Sequence, residues 1–195
     1  MLLSAGSGIN RVNCFLSPDR AIRLARTLGI PLRIAAKVDK ADEVYFREQI
    51  APLINQPGVE FIGEINESAK TEFLGEALAL LFPIDWPEPF GLAMIEAMAC
   101  GTPVLAFRHG SVPEVIDEGV TGMTVDSMDE AIRKLPHVLA LDRRAVRRRF
   151  DQRFTATRMA KEYVQTYRAL LKRAPTPSMQ EVVPRLQPAL EETLE

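Results

Sequence analysis

Two glutamates, Glu88 and Glu96, flank a nearly uncharged segment, Pro89-Phe90-Gly91-Leu92-Ala93-Met94-Ile95. Their types and spacing suit chemistry on a hydroxyl-rich, negatively charged ligand. The segment from Phe90 to Cys100 reads as a helix, and its first amides have no intrahelical acceptor and sit at the positive end of the helix dipole. Phe90, Gly91 and Leu92 can therefore offer N–H groups to a diphosphate or a sugar oxygen, and Gly91 lets a ligand approach the backbone closely. Glu88, just ahead of the helix, can meet hydroxyls or stabilise a developing positive charge. Glu96 is the one carboxylate in a helix whose apolar residues point in almost every direction. Burying it is costly unless donors satisfy it, and a vicinal diol supplies two. The bland alternative makes Glu88 a helix-start acid and pairs Glu96 with an internal Arg or Lys.

Positioning these groups requires a sheet with helices beside it, and the chain alternates accordingly from Pro18 onward. Apolar spacing predicts a helix over Asp19–Leu28, stopped by Gly29, and a strand over Leu32–Ala36. Next come a helix over Ala41–Ile54, a strand over Val59–Ile62, a helix over Asn66–Glu76 and a fully apolar strand over Ala77–Phe82. The loop Pro83–Pro89 leads into the Phe90 helix, which Gly101 stops before a strand over Pro103–Phe107. Ser111 and Glu114 have capping-box spacing for a short helix. A strand near Met123–Val125 and helices over Ser127–Leu139 and Asp142–Leu171 complete the pattern, the last one broken near Phe154 and Thr155. The fold class expected is α/β, a Rossmann-like parallel sheet with helices on both faces, whose ligand lies beyond the carboxyl ends of the strands. The domain spans 18–173, preceded by an atypical segment over 1–17. A tail over 174–195 carries Pro175, Pro177, Pro184 and Pro188, which disfavour long regular elements.

Composition narrows the function classes. A hydrophobic share of 47% with 26% charged residues is that of a soluble globular chain, and a formal charge of -2 gives no global reason for nucleic acid or an anionic membrane as partner. Membrane contact has no positive support. Cys14 and Cys100 form neither a disulfide framework nor a metal spacing, and no apolar run approaches the roughly 20 residues of a membrane span, so a cytoplasmic location is expected. Gly6-Ser7-Gly8 opens like a dinucleotide fingerprint, but Arg11 occupies the third glycine position. His109 and His137 are too few for a metal site. The run Arg143, Arg144, Arg147, Arg148, Arg149 and Arg153 reads as a solvated helix face. Trp86 is placed either to lean over a sugar ring or to anchor its loop.

The stretch Glu88-Pro89-Phe90-Gly91-Leu92 through Glu96-Ala97-Met98-Ala99-Cys100-Gly101-Thr102-Pro103-Val104 resembles the two-glutamate signature of glycosyltransferase family 4, in the C-terminal domain of a GT-B fold. Gly110-Ser111-Val112-Pro113-Glu114-Val115, Gly119-Val120-Thr121-Gly122, Phe61-Ile62-Gly63-Glu64 and Ile34-Ala35-Ala36-Lys37-Val38-Asp39 extend the likeness from Pro18 to Tyr167. The resemblance implies a domain that binds a nucleoside-diphosphate sugar and serves transfer to an acceptor hydroxyl with retention, without a metal or other cofactor. It implies that Glu88 contacts the donor sugar as the catalytic residue, that Glu96 contacts the ribose, and that Phe90, Gly91 and Leu92 line the donor pocket.

Two departures qualify the likeness. The family's Arg and Lys that hold the diphosphate fall, by counting back from Pro18-Asp19-Arg20-Ala21-Ile22, on Arg11 and on Leu16, so one cation is absent. The N-terminal domain of a GT-B enzyme is also missing, which implies a fragment, a partner chain that supplies the rest, or a non-catalytic sugar-nucleotide-binding module.

Overall fold

A computed structural model describes residues 11–14, 17–40 and 43–173. It divides into two compact units, residues 1–154 and residues 155–195. Leu16, the first ten residues and the 174–195 tail lie outside the described residues.

In the first unit, β1 (Val12–Cys14), α1 (Pro18–Leu28), β2 (Leu32–Ala35), α2 (Glu43–Tyr45), α3 (Ala51–Ile54) and β3 (Val59–Gly63) form one half of the sheet and its helices. The other half comprises α4 (Glu67–Gly75), β4 (Leu80–Phe82), α5 (Leu92–Ala99), β5 (Val104–Phe107), α6 (Val112–Val115), β6 (Gly122–Val125), α7 (Met128–Leu139) and α8 (Arg143–Arg153). The six strands are parallel in the order β3-β2-β1-β4-β5-β6. The chain moves outward from β1 to β3, then crosses back to place β4 on the other side of β1. The order reverses between β1 and β4, where an open α/β sheet leaves a crevice at its carboxyl edge.

Two apolar clusters explain why the strands read as continuous hydrophobic runs. One packs Ile22, Leu24, Leu135 and Val138 of α1 and α7 against Val12, Ile34, Leu81 and Leu105. The other packs Phe73, Leu74, Met94 and Met98 of α4 and α5 against Leu80, Phe82, Val104 and Ala106. β4 and β5 are buried at every residue, as central strands covered on both faces must be. Asn66, Ser127 and Asp142 cap their helices by accepting from Ala69, Glu130 and Arg144 amides.

Three expectations change. The helix expected over Ala41–Ile54 is interrupted by a π-helical turn at Phe46–Ile50, where the Ala51 amide reaches five residues back to Phe46. Pro52 has no N–H and crowds the preceding turn, which favours the wider ladder. The Ser111 capping box does not form: Ser111 already has helical φ -73 and ψ -10, its backbone oxygen takes the Glu114 amide, and its buried hydroxyl has no partner.

Third, the arginines of α8 are mostly structural ties rather than a solvated face. Arg143 donates to the carbonyls of Gly75 (2.7 Å), Ala77 and Cys100 (3.4 Å) and to Thr102 Oγ1 (2.8 Å). Arg147 reaches the Ala99 carbonyl at the end of α5. Arg153 reaches the Glu114 and Val115 carbonyls at the end of α6, and Arg149 and Arg153 share Asp117. Helix C-termini leave carbonyls without intrahelical donors, and a guanidinium fork satisfies several at once. Burial lowers the Arg143 pKa from its ordinary value.

In the second unit, α9 (Ala156–Arg173) follows the break at Phe154 and Thr155. Met159, Tyr163, Tyr167 and Leu170 form an exposed apolar stripe, with the Tyr163 and Tyr167 rings 6.1 Å apart.

Candidate functional site

The loop over 83–91 joins the carboxyl end of β4 to α5. Its start is fastened from α1. Arg20 donates to the carbonyls of Pro83 (3.3 Å) and Ile84 (3.4 Å), pairs with Asp85 at 3.5 Å and lies 5.4 Å from the Phe107 ring centroid. Ile84 is fully buried beneath the loop. The loop's middle is fastened from the β5–α6 connection, where the Ser111 amide donates to the Glu88 carbonyl at 2.9 Å. Gly110 permits this closeness. Its φ is +54°, and a Cβ there would stand 2.3 Å from the Glu88 carbonyl oxygen and 2.5 Å from the Glu88 nitrogen.

Both oxygens of the Glu88 carboxylate are engaged. The Gly91 amide donates to Oε1 at 3.0 Å, and the Trp86 indole Nε1 donates to Oε2 at 3.3 Å. Gly91 adopts φ 77 as the residue preceding α5, so α5 begins at Leu92 rather than Phe90. The expectation of three consecutive helix-start amides at Phe90, Gly91 and Leu92 changes accordingly. Gly91 is buried with its N–H turned onto Glu88, while Phe90 and Leu92 are exposed. α5 is covered on most sides, with Leu92 its one exposed residue. Leu92 is 61% and Phe90 47% exposed, because the first turn lies over the carboxyl end of β4, whereas Met94, Ala97 and Met98 further along are buried against the sheet.

Glu96, partly buried on α5, meets Lys70 of α4 at 3.1 Å, and Lys70 also meets Glu67 at 2.8 Å. Of the alternatives open at the sequence level, the pairing with a Lys is the one present. The hydrogen bond to Glu67 is the largest influence raising the Lys70 pKa; burial opposes it and Glu96 adds to it. The pair lines a small cavity of about 150 Å³ with Thr71, Leu74 and Cys100. Burial pushes the Cys100 thiol up against the opposing pull of Arg143 and Arg147, which keeps it in its unreactive form. Lys70 escapes sequence reasoning: three residues after Glu67 on a capped helix, it reads as an intrahelical pair, and nothing local links it to Glu96 across 26 residues.

Arg11 is a correction. It precedes β1, at the amino end of that strand, and pairs with Glu76 at 2.7 Å, while its carbonyl receives the Leu78 amide. Loop 83–91 leaves the carboxyl end of β4, which runs parallel to β1, so the two lie at opposite ends of the sheet. Counting residues back from α1 could not reveal this, because the number of residues does not say where the strand between them begins. Lys37, at the carboxyl end of β2, is exposed and pairs with Asp39 at 2.9 Å, the largest influence raising its pKa. Among the described residues no group of three His, Cys, Asp or Glu could hold a metal, and no helix is long and apolar enough to cross a membrane.

Known proteins share this fold. The family model for glycosyl transferases group 1 matches residues 18–154. D-inositol 3-phosphate glycosyltransferase of Mycobacterium sp. (strain KMS) is 50% identical over 124 residues, which cover 62% of this chain and 28% of that protein. A probable sucrose-phosphate synthase of Thermosipho melanesiensis is 38% identical over 81 residues, 40% of this chain and 19% of the relative. Among solved structures, the sucrose-phosphate synthase of Thermosynechococcus elongatus superposes with a TM-score of 0.71 at 22% identity, covering 86% of this chain and 47% of the other. Anabaena Alr3699/HepE in complex with UDP and glucose superposes with a TM-score of 0.66 at 20% identity, covering 83% and 49%. The chain thus spans about half the length of these solved proteins and less than a third of these curated relatives. The matched segment runs from α1 to α8 and takes in β2 to β6 with both glutamates, and the chain belongs to the group 1 glycosyl transferases, with the Rossmann-like α/β architecture of a GT-B domain.

Proposed function

We propose that this chain is the donor-binding half of a retaining glycosyltransferase, which holds a nucleoside-diphosphate sugar for transfer to an acceptor hydroxyl. The observation that carries the proposal is the placement of Glu88 and Glu96 on one loop-and-helix unit at the carboxyl edge of the sheet, beside the strand-order reversal. Glu96, with Lys70 as its neighbour, accepts from the ribose 2' and 3' hydroxyls, and Lys70, which donates to Glu67 and Glu96, offers its third N–H to the nucleotide. The amides of Leu92 and Ala93, free of intrahelical acceptors, face the diphosphate. Glu88, oriented by Gly91 and Trp86, stands at the sugar and stabilises positive charge as the bond to the diphosphate breaks. The role requires no metal or organic cofactor. Family membership and a solved neighbour that holds UDP and glucose support the ligand class.

Calorimetry with UDP, GDP and ADP on wild type and Glu96→Ala tests the reading. Binding of one diphosphate should fall at least about tenfold in the variant. Equal affinity would remove the ribose role.

One observation favours a second reading, a sugar-nucleotide-binding module without turnover. Arg11 is tied to Glu76 at the amino end of the sheet, so the diphosphate clamp expected of it is not at this site. An assay for sugar transfer and donor hydrolysis separates the two.

A further inference from the structure

Two stripes of opposite chemistry run along α9. Met159, Tyr163 and Tyr167 recur every fourth residue and continue into Leu170, with Val164 and Leu171 beside them, a spacing that puts them on one face of the helix. All of these side chains are exposed, from Val164 at 45% to Leu171 at 75%. Lys161, Gln165, Arg168 and Lys172 recur at helical spacing on the opposite face, and all are exposed. Arg158 lies on that face too and pairs with Glu162, the one acidic residue of the helix, at 2.7 Å. The chain as a whole carries a formal charge of -2, so α9 is a cationic element in an acidic protein.

An apolar face on a cationic helix selects its partner by charge. No helix among the described residues is long and apolar enough to cross a membrane, so spanning is not the role of α9. A basic amphipathic helix instead lies in the plane of a bilayer surface, with its apolar face at the boundary between headgroups and acyl chains, while Lys and Arg stems extend to keep their charges among the phosphates. Tyrosines suit that depth, because the ring is buried while the hydroxyl stays hydrated. A second copy of the chain fits the face less well. The apolar face is broader than the seam of a two-stranded coiled coil, and self-docking would take two tyrosine hydroxyls out of water. It would also set cations against cations, since the one acid of the helix already serves Arg158.

We propose that α9 is an interfacial anchor that docks this chain on an anionic lipid surface. Met159, Tyr163, Tyr167 and Leu170 enter the headgroup boundary, and Lys161, Arg168 and Lys172 meet lipid phosphates. The anchor does not depend on the nucleotide chemistry proposed for Glu88 and Glu96, because none of its residues belongs to the 83–91 loop, α4 or α5.

Flotation of the full chain with large unilamellar vesicles tests the anchor, using phosphatidylcholine alone and phosphatidylcholine containing about one third phosphatidylglycerol. Binding to the anionic vesicles should exceed binding to the neutral ones by at least about tenfold at low salt, and should fall severalfold in about 0.5 M NaCl as the attraction is screened. Lys161→Gln combined with Lys172→Gln should weaken anionic binding by about twentyfold, at roughly fivefold for each basic residue. Tyr163→Ser combined with Leu170→Ser should weaken it by at least about tenfold through the lost apolar burial. Circular dichroism establishes that the helix is retained, and the lysine pair, which changes only exposed flexible side chains, decides the matter if the serine pair loses helix. Arg144→Gln combined with Arg148→Gln, both exposed on α8, should leave binding within about twofold. No binding to anionic vesicles, equal binding to neutral ones, or binding lost with the α8 pair but kept by the lysine pair would each overturn the proposal. Analytical ultracentrifugation in the same buffer reads the rival occupant. A dimer that the serine pair dissolves, formed by a chain that ignores vesicles, would assign the stripe to a second copy and remove the anchor.

Discussion

Glu88 and Glu96 are held by donors of different kinds, and the difference sets what each can do. Glu88 is fixed by a backbone amide and an indole, neither of which moves charge. Glu96 faces an ammonium on a flexible stem, partly open to solvent. A part-exposed ion pair contributes little to stability, so Lys70→Met should shift the unfolding free energy by less than about 1 kcal/mol yet weaken nucleoside-diphosphate binding by about tenfold. Thermal unfolding and calorimetry on one sample check both halves of that expectation. Asp117 supplies a pH signature. Burial is the largest influence on it and raises its pKa, but the combined hydrogen bonds and charges of Arg149 and Arg153 outweigh burial and leave it below its ordinary value. A carboxyl with a depressed folded-state pKa contributes stability above its unfolded value and loses it as pH falls through the folded one. The urea midpoint should therefore hold from neutral pH to about 4 and drop below that, with a shallower drop in Asp117→Asn. An unchanged acid limb in the variant would show that this cluster does not govern acid unfolding.

Elements act here through the ties between them. Arg143 closes the entry to β4, the end of α5 and the start of β5 with one side chain. Replacing it with Ala leaves several carbonyls without donors and should cost about 3 kcal/mol in urea unfolding. Arg143→Lys should recover only part, since an ammonium lacks the planar fork. The β5–α6 connection has a different task, because it holds the loop that carries Glu88. Gly110→Ala puts a methyl group against the Glu88 backbone and strains a positive φ. We expect about 2 kcal/mol of destabilisation and a displaced Glu88. The Trp86 emission maximum should shift in the variant, since Trp86 donates to that carboxylate. An unmoved spectrum would show that the loop is held by Arg20 alone.

At the scale of the molecule, helices cover both faces of one parallel six-stranded sheet. Arg11 is tied to Glu76 at the amino end of the sheet and supplies no diphosphate clamp, so the behaviour expected of these residues is binding of a nucleoside diphosphate without sugar transfer. Chromatographic analysis of incubations with UDP-, GDP- and ADP-glucose checks this, and product formation above the protein-free control would overturn it. The parallel sheet and the loop-and-helix unit carrying Phe90, Gly91, Leu92 and the two glutamates follow from the sequence itself. Each depends on local information: apolar runs buried on both faces, glycine stops, and carboxylates next to a helix start. Only the tertiary structure decided who meets these residues. Lys70 reaches Glu96 from α4, the neighbouring helix on the same face of the sheet. Arg11 faces the wrong end of the sheet, and the α8 arginines turn inward to carbonyls. Such partnerships join residues tens of positions apart and depend on strand register and on how deeply each helix packs. Periodicity within a single segment carries neither quantity.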